Sequence, residues 1–327
     1  MTNYSTNTIF VSMPAQDDEE TKHSIRSAFN NAEFPERIYV GVALTSLKTK
    51  HKKEIEHLMS NNKNIKLDYV KQKKNDLSTL GIGQGRLRAS SLYDDQDYML
   101  QVDCHTFFDK NWDSKMIDMF HEAAKEVGDD DMVISCIPLL YSYTKDGKLV
   151  KDKSPESRYA TYIADSFFID VVPQWREVDI MSMKSEGFYP AHKLNPACTF
   201  GNKKFAKDPG IHKEAIFYDE DWTQQLNLFN RGIAFVFPNF KDFPIRHLDG
   251  KIDEIKDHRR MFFTEYLSKD KNVEIHKRLM SNYLSFVKDP KNKEAIDKYA
   301  KYSKAHAIRG YFSFSEEPMP KSYRVTE

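Results

Sequence analysis

Asp103 and His105 are the residues of this 327-residue chain whose types and spacing point most directly to metal chemistry. They lie in LQVDCHTFFDKNWD, residues 100–113, at the end of an apolar run that predicts a buried strand. Along an extended chain, residues 103 and 105 face the same side, so a carboxylate and an imidazole there can chelate one divalent ion. Mixed oxygen and nitrogen ligation suits Mn²⁺ better than Mg²⁺. The same spacing also fits a turn-capping aspartate and a histidine bonded to the backbone.

Two later segments carry further candidates. In YDEDWTQQLNLFNRG, residues 218–232, acidic residues open a predicted helix. Glu220 or Asp221 could serve as a base or stabiliser, although acids at a helix start also complement the helix dipole. In FPNFKDFPIRHL, His247 follows a short apolar strand and could complete a metal site. A lone histidine more often has a structural role, so His247 by itself does not indicate a metal site and becomes a candidate ligand only together with other ligands.

A glycine-rich segment, GIGQGRLRA, begins at Gly81. It matches neither the P-loop pattern nor the dinucleotide fingerprint. Its glycines, which include Gly83 and Gly85, permit close backbone approach to a ligand. Arg86 and Arg88 could contact phosphate or sugar. A flexible turn with solvated arginines explains the segment equally well.

The elements that must position these residues alternate between strands and helices over the first 140 residues. Apolar runs predict strands over 8–13, 37–44, 65–70, 97–103 and 131–137, and periodicity predicts helices near 47–60 and over 112–127. This alternation predicts an α/β fold with parallel strands and helices on both faces, in which ligands sit at the carboxyl ends of the strands. Residues 140–215 are less regular. Beyond about 251 the chain becomes highly charged and helical.

Composition excludes several classes of protein. Hydrophobic residues make up 40% of the chain, which is ample for a core and argues against disorder. The chain has 49 basic residues (lysine plus arginine) and 49 acidic residues (aspartate plus glutamate), so its net charge is zero. The net charge therefore does not indicate nucleic acid or a membrane surface as a partner. Three separated cysteines without a CxxC pair predict a reducing compartment. The opening residues do not resemble a signal peptide, and no apolar stretch approaches membrane-spanning length, which predicts a cytoplasmic protein without a membrane partner.

In this order and spacing, the four signals resemble the Skp1-type polypeptide N-acetylglucosaminyltransferase family. IFVSMPAQDDEET and AFNNAEFPERIYVGVAL look like that family's first strand, helix and second strand. GQGRLRASSLYDDQDYMLQVDCHTFFDKNWD looks like its glycine–arginine segment, D-x-H motif and W-D pair. FYDEDWTQQLNLFNRGIAFVFPNFKDFPIRHL looks like its acidic helix start and late histidine. The resemblance covers roughly residues 8–248 and also admits a divergent, phage-like member.

The resemblance implies a GT-A fold with a mostly parallel, mixed sheet. Its nucleotide-sugar half covers about 1–140 and its acceptor half about 141–250. The charged, helical pattern beyond about 251 predicts a helical extension over 251–327, which has no counterpart in the family. It implies a retaining transferase that uses a UDP-sugar and Mn²⁺ or another divalent cation. The implied metal ligands are Asp103, His105 and His247. The implied nucleotide-sugar contacts are Ser12, Asp18, Gly85, Arg88 and Asp103. The implied catalytic carboxylates are Glu220 and Asp221.

Two departures from the family pattern leave the sugar and the acceptor open. Gln16 and Asp17 stand where the family carries a tyrosine–arginine pair, and Asp219 begins the acidic trio where the family has Gly-Glu-Glu. The resemblance implies a hydroxyl on a polypeptide as acceptor. A hydroxymethylated pyrimidine in DNA is an alternative, because the tail is locally basic with interleaved tyrosines. A non-catalytic domain that binds nucleotide sugar or glycan is another. The sequence gives no sign of oligomeric state.

Overall fold

The computed structural model describes residues 6–76, 81–151, 159–169, 172–179, 187–191, 194–215, 219–238, 243–248 and 268–309. The helices are α1 (Thr21–Asn30), α2 (Thr49–Asn61), α3 (Ile82–Ser90), α4 (Trp112–Val127), α5 (Lys203–Lys207), α6 (Asp219–Asn230), α7 (Lys269–Lys288) and α8 (Pro290–Arg309). No helix within these ranges combines the length and the apolar character needed to cross a bilayer.

The main sheet has eight strands in the order β11-β13-β6-β12-β4-β1-β2-β3. Its strands are β1 (Ile9–Gln16), β2 (Ile38–Ser46), β3 (Ile65–Lys71), β4 (Tyr98–Val102), β6 (Met132–Ser135), β11 (Tyr189–Ala191), β12 (Cys198–Asn202) and β13 (Ala234–Phe237). The run β4-β1-β2-β3 is parallel, whereas β12 pairs antiparallel with both β4 and β6. The predicted mixed α/β sheet is confirmed, and β12 is the strand that makes its centre mixed.

A second sheet lies beside the carboxyl end of β4. It has the order β5-β14-β7-β8, made of β5 (Thr106–Phe108), β7 (Leu139–Tyr143), β8 (Leu149–Lys151) and β14 (Ile245–Leu248). A separate antiparallel pair joins β9 (Tyr159–Ile169) to β10 (Val172–Asp179). His247 was predicted to follow a strand, but it lies inside β14, because the strand continues through Leu248.

The core forms where the parallel strands bury both of their faces. Ile9, Val11, Val40 and Leu100 are fully buried, as expected for parallel strands covered by helices on both sides. The predicted helix over 112–127 is confirmed to the residue, and it ends at Gly128, whose positive φ of 75° provides a left-handed cap. The first strands agree with the predicted spans to within a few residues at each end.

The described residues of the predicted C-terminal extension form a helical pair that packs on the main domain. Tyr299 of α8 is fully buried, with its ring 5.6 Å from that of Trp222 and 4.8 Å from that of Phe229, both in α6. Phe286 of α7 is also buried and contacts His212 edge-on. The expected boundary near residue 250 lies outside the described residues.

Candidate active site

The pairing of β5 with β14 brings His247 to the D-x-H segment. The two strands run antiparallel, with His247 opposite Thr106. The backbone N–H of Leu248 donates to the carbonyl of His105 at 3.0 Å. Backbone pairing therefore fixes two histidines that are far apart in the sequence at neighbouring positions.

The D-x-H segment itself is a tight turn between β4 and β5. The predicted extended course is wrong at this point, because β4 ends at Val102. Ser24 of α1 donates its hydroxyl to the carbonyl of Cys104 at 2.8 Å and accepts the N–H of Thr106 at 2.9 Å. The hydroxyl of Thr106 donates to the carbonyl of Asp103 at 2.7 Å. These buried hydrogen bonds hold the turn in one conformation.

Three donor atoms converge at this turn. His105 Nε2 lies 2.9 Å from His247 Nε2, which lies 3.2 Å from Asp103 Oδ2. His105 Nε2 and Asp103 Oδ2 are 4.0 Å apart. Ligands that bind one ion at about 2.1–2.2 Å and about 90° to each other lie about 3 Å apart. The two shorter distances suit adjacent positions around one ion, and the 4.0 Å distance corresponds to a wider angle. The three side chains are each 17–18% exposed, so solvent reaches the cluster from one side.

Asp18 lies behind His105. Its Oδ2 is 2.9 Å from His105 Nδ1, and its Oδ1 accepts the N–H of Glu20 at 2.8 Å. Burial would raise the pKa of Asp18, but its hydrogen bond to His105 and the attraction of that ring lower the pKa below the ordinary value of 3.8. An ionised carboxylate can only accept, so Nδ1 donates to Asp18, and in the neutral imidazole the lone pair of Nε2 faces the cluster.

Arg86 stands behind Asp103 in the same way. Its Nη2 donates to Asp103 Oδ1 at 2.7 Å, which leaves Oδ2 for the histidines. Burial would raise the pKa of Asp103, but the charge of Arg86 and the hydrogen bond from His247 hold it well below the ordinary value of 3.8. Asp103 is therefore a carboxylate at neutral pH, as a metal ligand must be.

Two other groups of potential metal ligands are weaker candidates for a metal site. Asp18, Cys104 and His105 also lie close together, but the sulfur of Cys104 is 3.8 Å from His105 Nδ1, which already faces Asp18. Burial, together with the nearby carboxylates, raises the pKa of the Cys104 thiol well above its ordinary value. The three aspartates Asp129–Asp131 follow α4, and Lys204 forms an ion pair with Asp131.

A glycine loop running into a short helix is the prediction for the glycine-rich segment. The helix is confirmed, but it begins at Ile82 and therefore includes Gly83 and Gly85. A Cβ on Gly83 would lie 2.5 Å from the carbonyl oxygen of Ala215, and one on Gly85 would lie 3.0 Å from the Cβ of Pro14. These glycines let α3 approach other parts of the protein closely. Gly85 thus packs closely on β1, and its contact with the nucleotide sugar stays a prediction.

Two residues predicted to contact the nucleotide sugar lie away from the cluster. Arg88 is hydrogen-bonded to other side chains, and Ser12 is buried. Arg88 donates to Asp68 Oδ2 at 2.7 Å and to Thr45 Oγ1 at 2.9 Å, on the side of β2 and β3. Residues two apart on a helix do not share a face, so Arg86 rather than Arg88 reaches the cluster. Ser12 lies within β1 with no exposed surface, which keeps its hydroxyl from direct contact with a ligand.

The two predicted catalytic carboxylates open α6. Glu220 is 7% exposed, and Asp221 Oδ1 accepts the N–H of Trp222 at 2.7 Å. Helix α6 packs against α3 and is joined to β4 by a buried hydrogen bond between Gln224 and Gln101. The helix is thus anchored to α3, which carries Arg86, and to β4, which ends one residue before Asp103.

Comparison with known proteins identifies the class of fold. The structure is similar to the crystal structure of GalNAc-T7 with UDP, GalNAc and Mn²⁺, with a TM-score of 0.55 at 11% sequence identity. The similarity covers 94% of this chain and 55% of that chain, so this chain spans little more than half of that structure. The mixed sheet and its flanking helices are those of a GT-A glycosyltransferase.

A sequence model of a protein family identifies the family of this chain. The model described as Glycosyltransferase (GlcNAc) matches residues 46–240, which is more than half of the chain. The chain therefore belongs to the GlcNAc glycosyltransferase family. The match includes Asp103, His105 and the start of α6, whereas Asp18 and His247 lie outside it. Comparison with curated proteins gives no match.

Proposed function

We propose that this glycosyltransferase uses a UDP-sugar and requires Mn²⁺, or another divalent cation, held by Asp103, His105 and His247. The observation that carries the proposal is the convergence of two imidazole nitrogens and one carboxylate oxygen at a solvent-accessible turn. Nitrogen and oxygen donors together suit Mn²⁺. A crystal structure of the same fold contains UDP, GalNAc and Mn²⁺, which supports both parts of the proposal.

The residues present fit such an ion. A proton on His247 Nε2 can serve both His105 Nε2 and Asp103 Oδ2, which lie 2.9 and 3.2 Å away. A cation of suitable size would replace that shared proton. When bound, it would neutralise negative charge on the departing diphosphate. Asp18 would keep His105 in the metal-binding tautomer, and Arg86 would keep Asp103 aimed at the cluster.

Helix α6 would supply the acidic groups on the sugar side. We propose that Glu220 or Asp221 orients the acceptor hydroxyl or steadies positive charge on the sugar as its bond to the diphosphate weakens. The retaining outcome follows the family resemblance. The acceptor that we propose is a hydroxyl on a polypeptide, and a cytoplasmic location stays a prediction.

The described part of the tail favours a structural role over a platform for DNA. Tyr299, one of its interleaved tyrosines, is fully buried against α6 and does not face solvent. A nucleic-acid platform would present its aromatic residues outward for stacking. The complete ligand cluster likewise argues against a binding domain that has lost its catalytic metal.

The test is a titration of the full chain with nucleotide sugars. UDP, GDP, UDP-GlcNAc, UDP-GalNAc and UDP-glucose would each be titrated by calorimetry with Mn²⁺ and again with EDTA. We expect UDP and one UDP-sugar to bind only with Mn²⁺. Metal-independent binding, or no nucleotide binding by folded protein, would refute the proposed site.

A matched pair of variants tests whether the site lies at the carboxyl end of β4. Asp103→Asn removes a proposed ligand, and we expect it to weaken Mn²⁺ binding by more than roughly a hundredfold, beyond the usual effect of a residue that only supports a ligand. Asp97→Asn is the control, because Asp97 directly precedes β4 at the end away from Asp103 and accepts hydrogen bonds from Thr8 at 2.8 and 2.9 Å. Equal Mn²⁺ affinities for the two variants would contradict the assignment. Release of UDP with hydroxyl-bearing peptides, compared with oligonucleotides containing hydroxymethylcytosine, then identifies the acceptor.

A further inference from the structure

Asp17 has a strained backbone directly beside the candidate metal site. Its φ is 45°, a left-handed conformation that is unfavourable for residues with a side chain, although aspartate tolerates it better than most. Among the described residues, three others without glycine's freedom have a positive φ: Asn75 and Asp95 are exposed, and Asn111 is half-buried. Asp17 is buried. Strain that is kept in a buried residue next to a candidate site points to a role in that site.

The carboxylate of Asp17 fixes this conformation to the neighbouring strand. Strand β1 ends at Gln16, opposite Thr45, whereas β2 continues through Ser46. The hydroxyl of Ser46 donates to Asp17 Oδ1, and the N–H of Leu47 donates to Asp17 Oδ2 at 3.0 Å. The Asp17 side chain is 1% exposed, so both hydrogen bonds are shielded from water. Hydrogen bonds to a buried carboxylate are strong enough to offset the cost of a positive φ.

Asp18, the next residue, reaches the opposite side of β1. In the main sheet β1 lies between β2 and β4, and the turn that follows β4 carries His105. Asp18 Oδ2 lies 2.9 Å from His105 Nδ1, and the carbonyl of Asp18 accepts the hydroxyl of Thr21 at 2.8 Å. Two consecutive aspartates therefore contact the two neighbours of β1. The backbone conformation at Asp17 sets the direction in which the Asp18 side chain leaves the strand.

We propose that Asp17 is a positioning residue, which holds Asp18 against Nδ1 of His105 and thereby keeps Nε2 of that ring available to the metal. The hydrogen bonds from Ser46 and Leu47 maintain the left-handed conformation, and that conformation directs Asp18. A carboxylate behind a metal-binding histidine fixes the tautomer and orientation of the ring. This inference rests on the proposed metal site. Because Asp17 is one of the two departures from the family pattern, the resemblance does not imply this role.

Asp17→Ala and Asp95→Ala form a matched pair for the test. Each removes an aspartate with a positive φ, of 45° and 65° respectively, but Asp95 is exposed and pairs with Lys203. Nitrogen NMR of metal-free protein, at a pH where the ring is neutral, reports which nitrogen of His105 carries the proton. We expect Nδ1 to carry it in wild type and in Asp95→Ala, and the two tautomers to be mixed in Asp17→Ala. Mn²⁺ affinity, measured by calorimetry, should fall roughly tenfold in Asp17→Ala alone.

A second comparison shows whether Asp17 acts through Asp18. Asp18→Ala removes the contact with His105, so adding Asp17→Ala to it should cause no further loss of Mn²⁺ affinity. An equal loss in both backgrounds would refute the proposed route. Asp17→Asn should behave like wild type, because asparagine also tolerates a positive φ and its amide can accept from Leu47 and donate to Ser46. A loss in Asp17→Asn as large as that in Asp17→Ala would contradict the proposal.

The two readouts separate this inference from the proposed function. Wild-type protein that binds no Mn²⁺ would refute the proposed function, whereas a His105 tautomer that is unchanged in Asp17→Ala would refute the positioning role. If Asp17→Ala does not fold, Asp17→Gly replaces it, because glycine adopts a positive φ freely but has no carboxylate. Mn²⁺ affinity should then fall several-fold, since the hydrogen bonds that fix the conformation are lost. Wild-type affinity in Asp17→Gly would overturn the proposal.

Discussion

Replacing Asp18 by asparagine tests the carboxylate that supports His105. The asparagine oxygen can still accept the Nδ1 proton, but the negative charge is lost. The hydrogen bond is 2.9 Å long, and its two side chains are 9% and 17% exposed. A charged hydrogen bond of this kind contributes about 1.5–3 kcal/mol, which corresponds to roughly tenfold to hundredfold in an equilibrium constant. Because the neutral oxygen preserves part of the bond, we expect Mn²⁺ affinity to fall about tenfold.

The assay is calorimetric titration of Mn²⁺ into wild-type protein, Asp18→Asn and Asp97→Asn. The last variant loses a carboxylate at the opposite end of β4 and should bind Mn²⁺ like wild type. Thermal unfolding without metal would confirm that all three proteins are folded. Wild-type Mn²⁺ affinity in Asp18→Asn would refute the assignment of Asp18 as the support of His105. A loss of more than about a hundredfold would instead indicate that Asp18 is itself a ligand.

The remaining predictions concern stability. The pKa of Asp18 is lowered on folding, so its stabilising contribution is present above about pH 4 and is lost on acidification. The difference in melting temperature between wild type and Asp18→Asn should therefore shrink as pH falls below 4, and a constant difference would contradict this. Tyr299→Ala should cost about 3–5 kcal/mol in urea unfolding, because it empties a buried aromatic site, and a cost below about 1 kcal/mol would show that α8 does not brace α6. Gly83→Ala should destabilise by about 1–3 kcal/mol and by more than Gly85→Ala, because backbone at Ala215 yields less readily than the ring of Pro14. The opposite order would contradict the packing described for α3.

Much of the structure of the first 140 residues follows from local sequence patterns. Apolar runs and helical periodicity mark β1 to β4 and α4, because burial on both faces of a parallel sheet leaves a clear signal. The antiparallel strand β12 carries no such signal. Its segment, CTFGN, is short and contains glycine, so its central place in the sheet is set by pairing with β4 and β6.

The candidate site was only partly accessible from sequence. The types and order of Asp103, His105 and His247 nominated them as ligands, but only the pairing of β5 with β14 shows that they converge. The sequence does not show which of Arg86 and Arg88 reaches the cluster, because that depends on which face of α3 packs toward β4. The resemblance implies that Asp18 contacts the nucleotide sugar, and the structure shows in addition that its carboxylate lies against His105. That contact joins residues 87 positions apart, and no local pattern encodes it.

The docking of α8 on α6 has a consequence for how the protein is made. Trp222 and Phe229 leave the ribosome well before Tyr299, whose ring covers them in the finished fold. At translation rates of about 5–20 residues per second, their rings lack that cover for roughly 4–15 seconds. During this interval the nascent chain exposes an aromatic surface of the kind that chaperones bind. A ribosome stalled before residue 299 would therefore hold an aggregation-prone chain, even though every proposed metal ligand had already been synthesised.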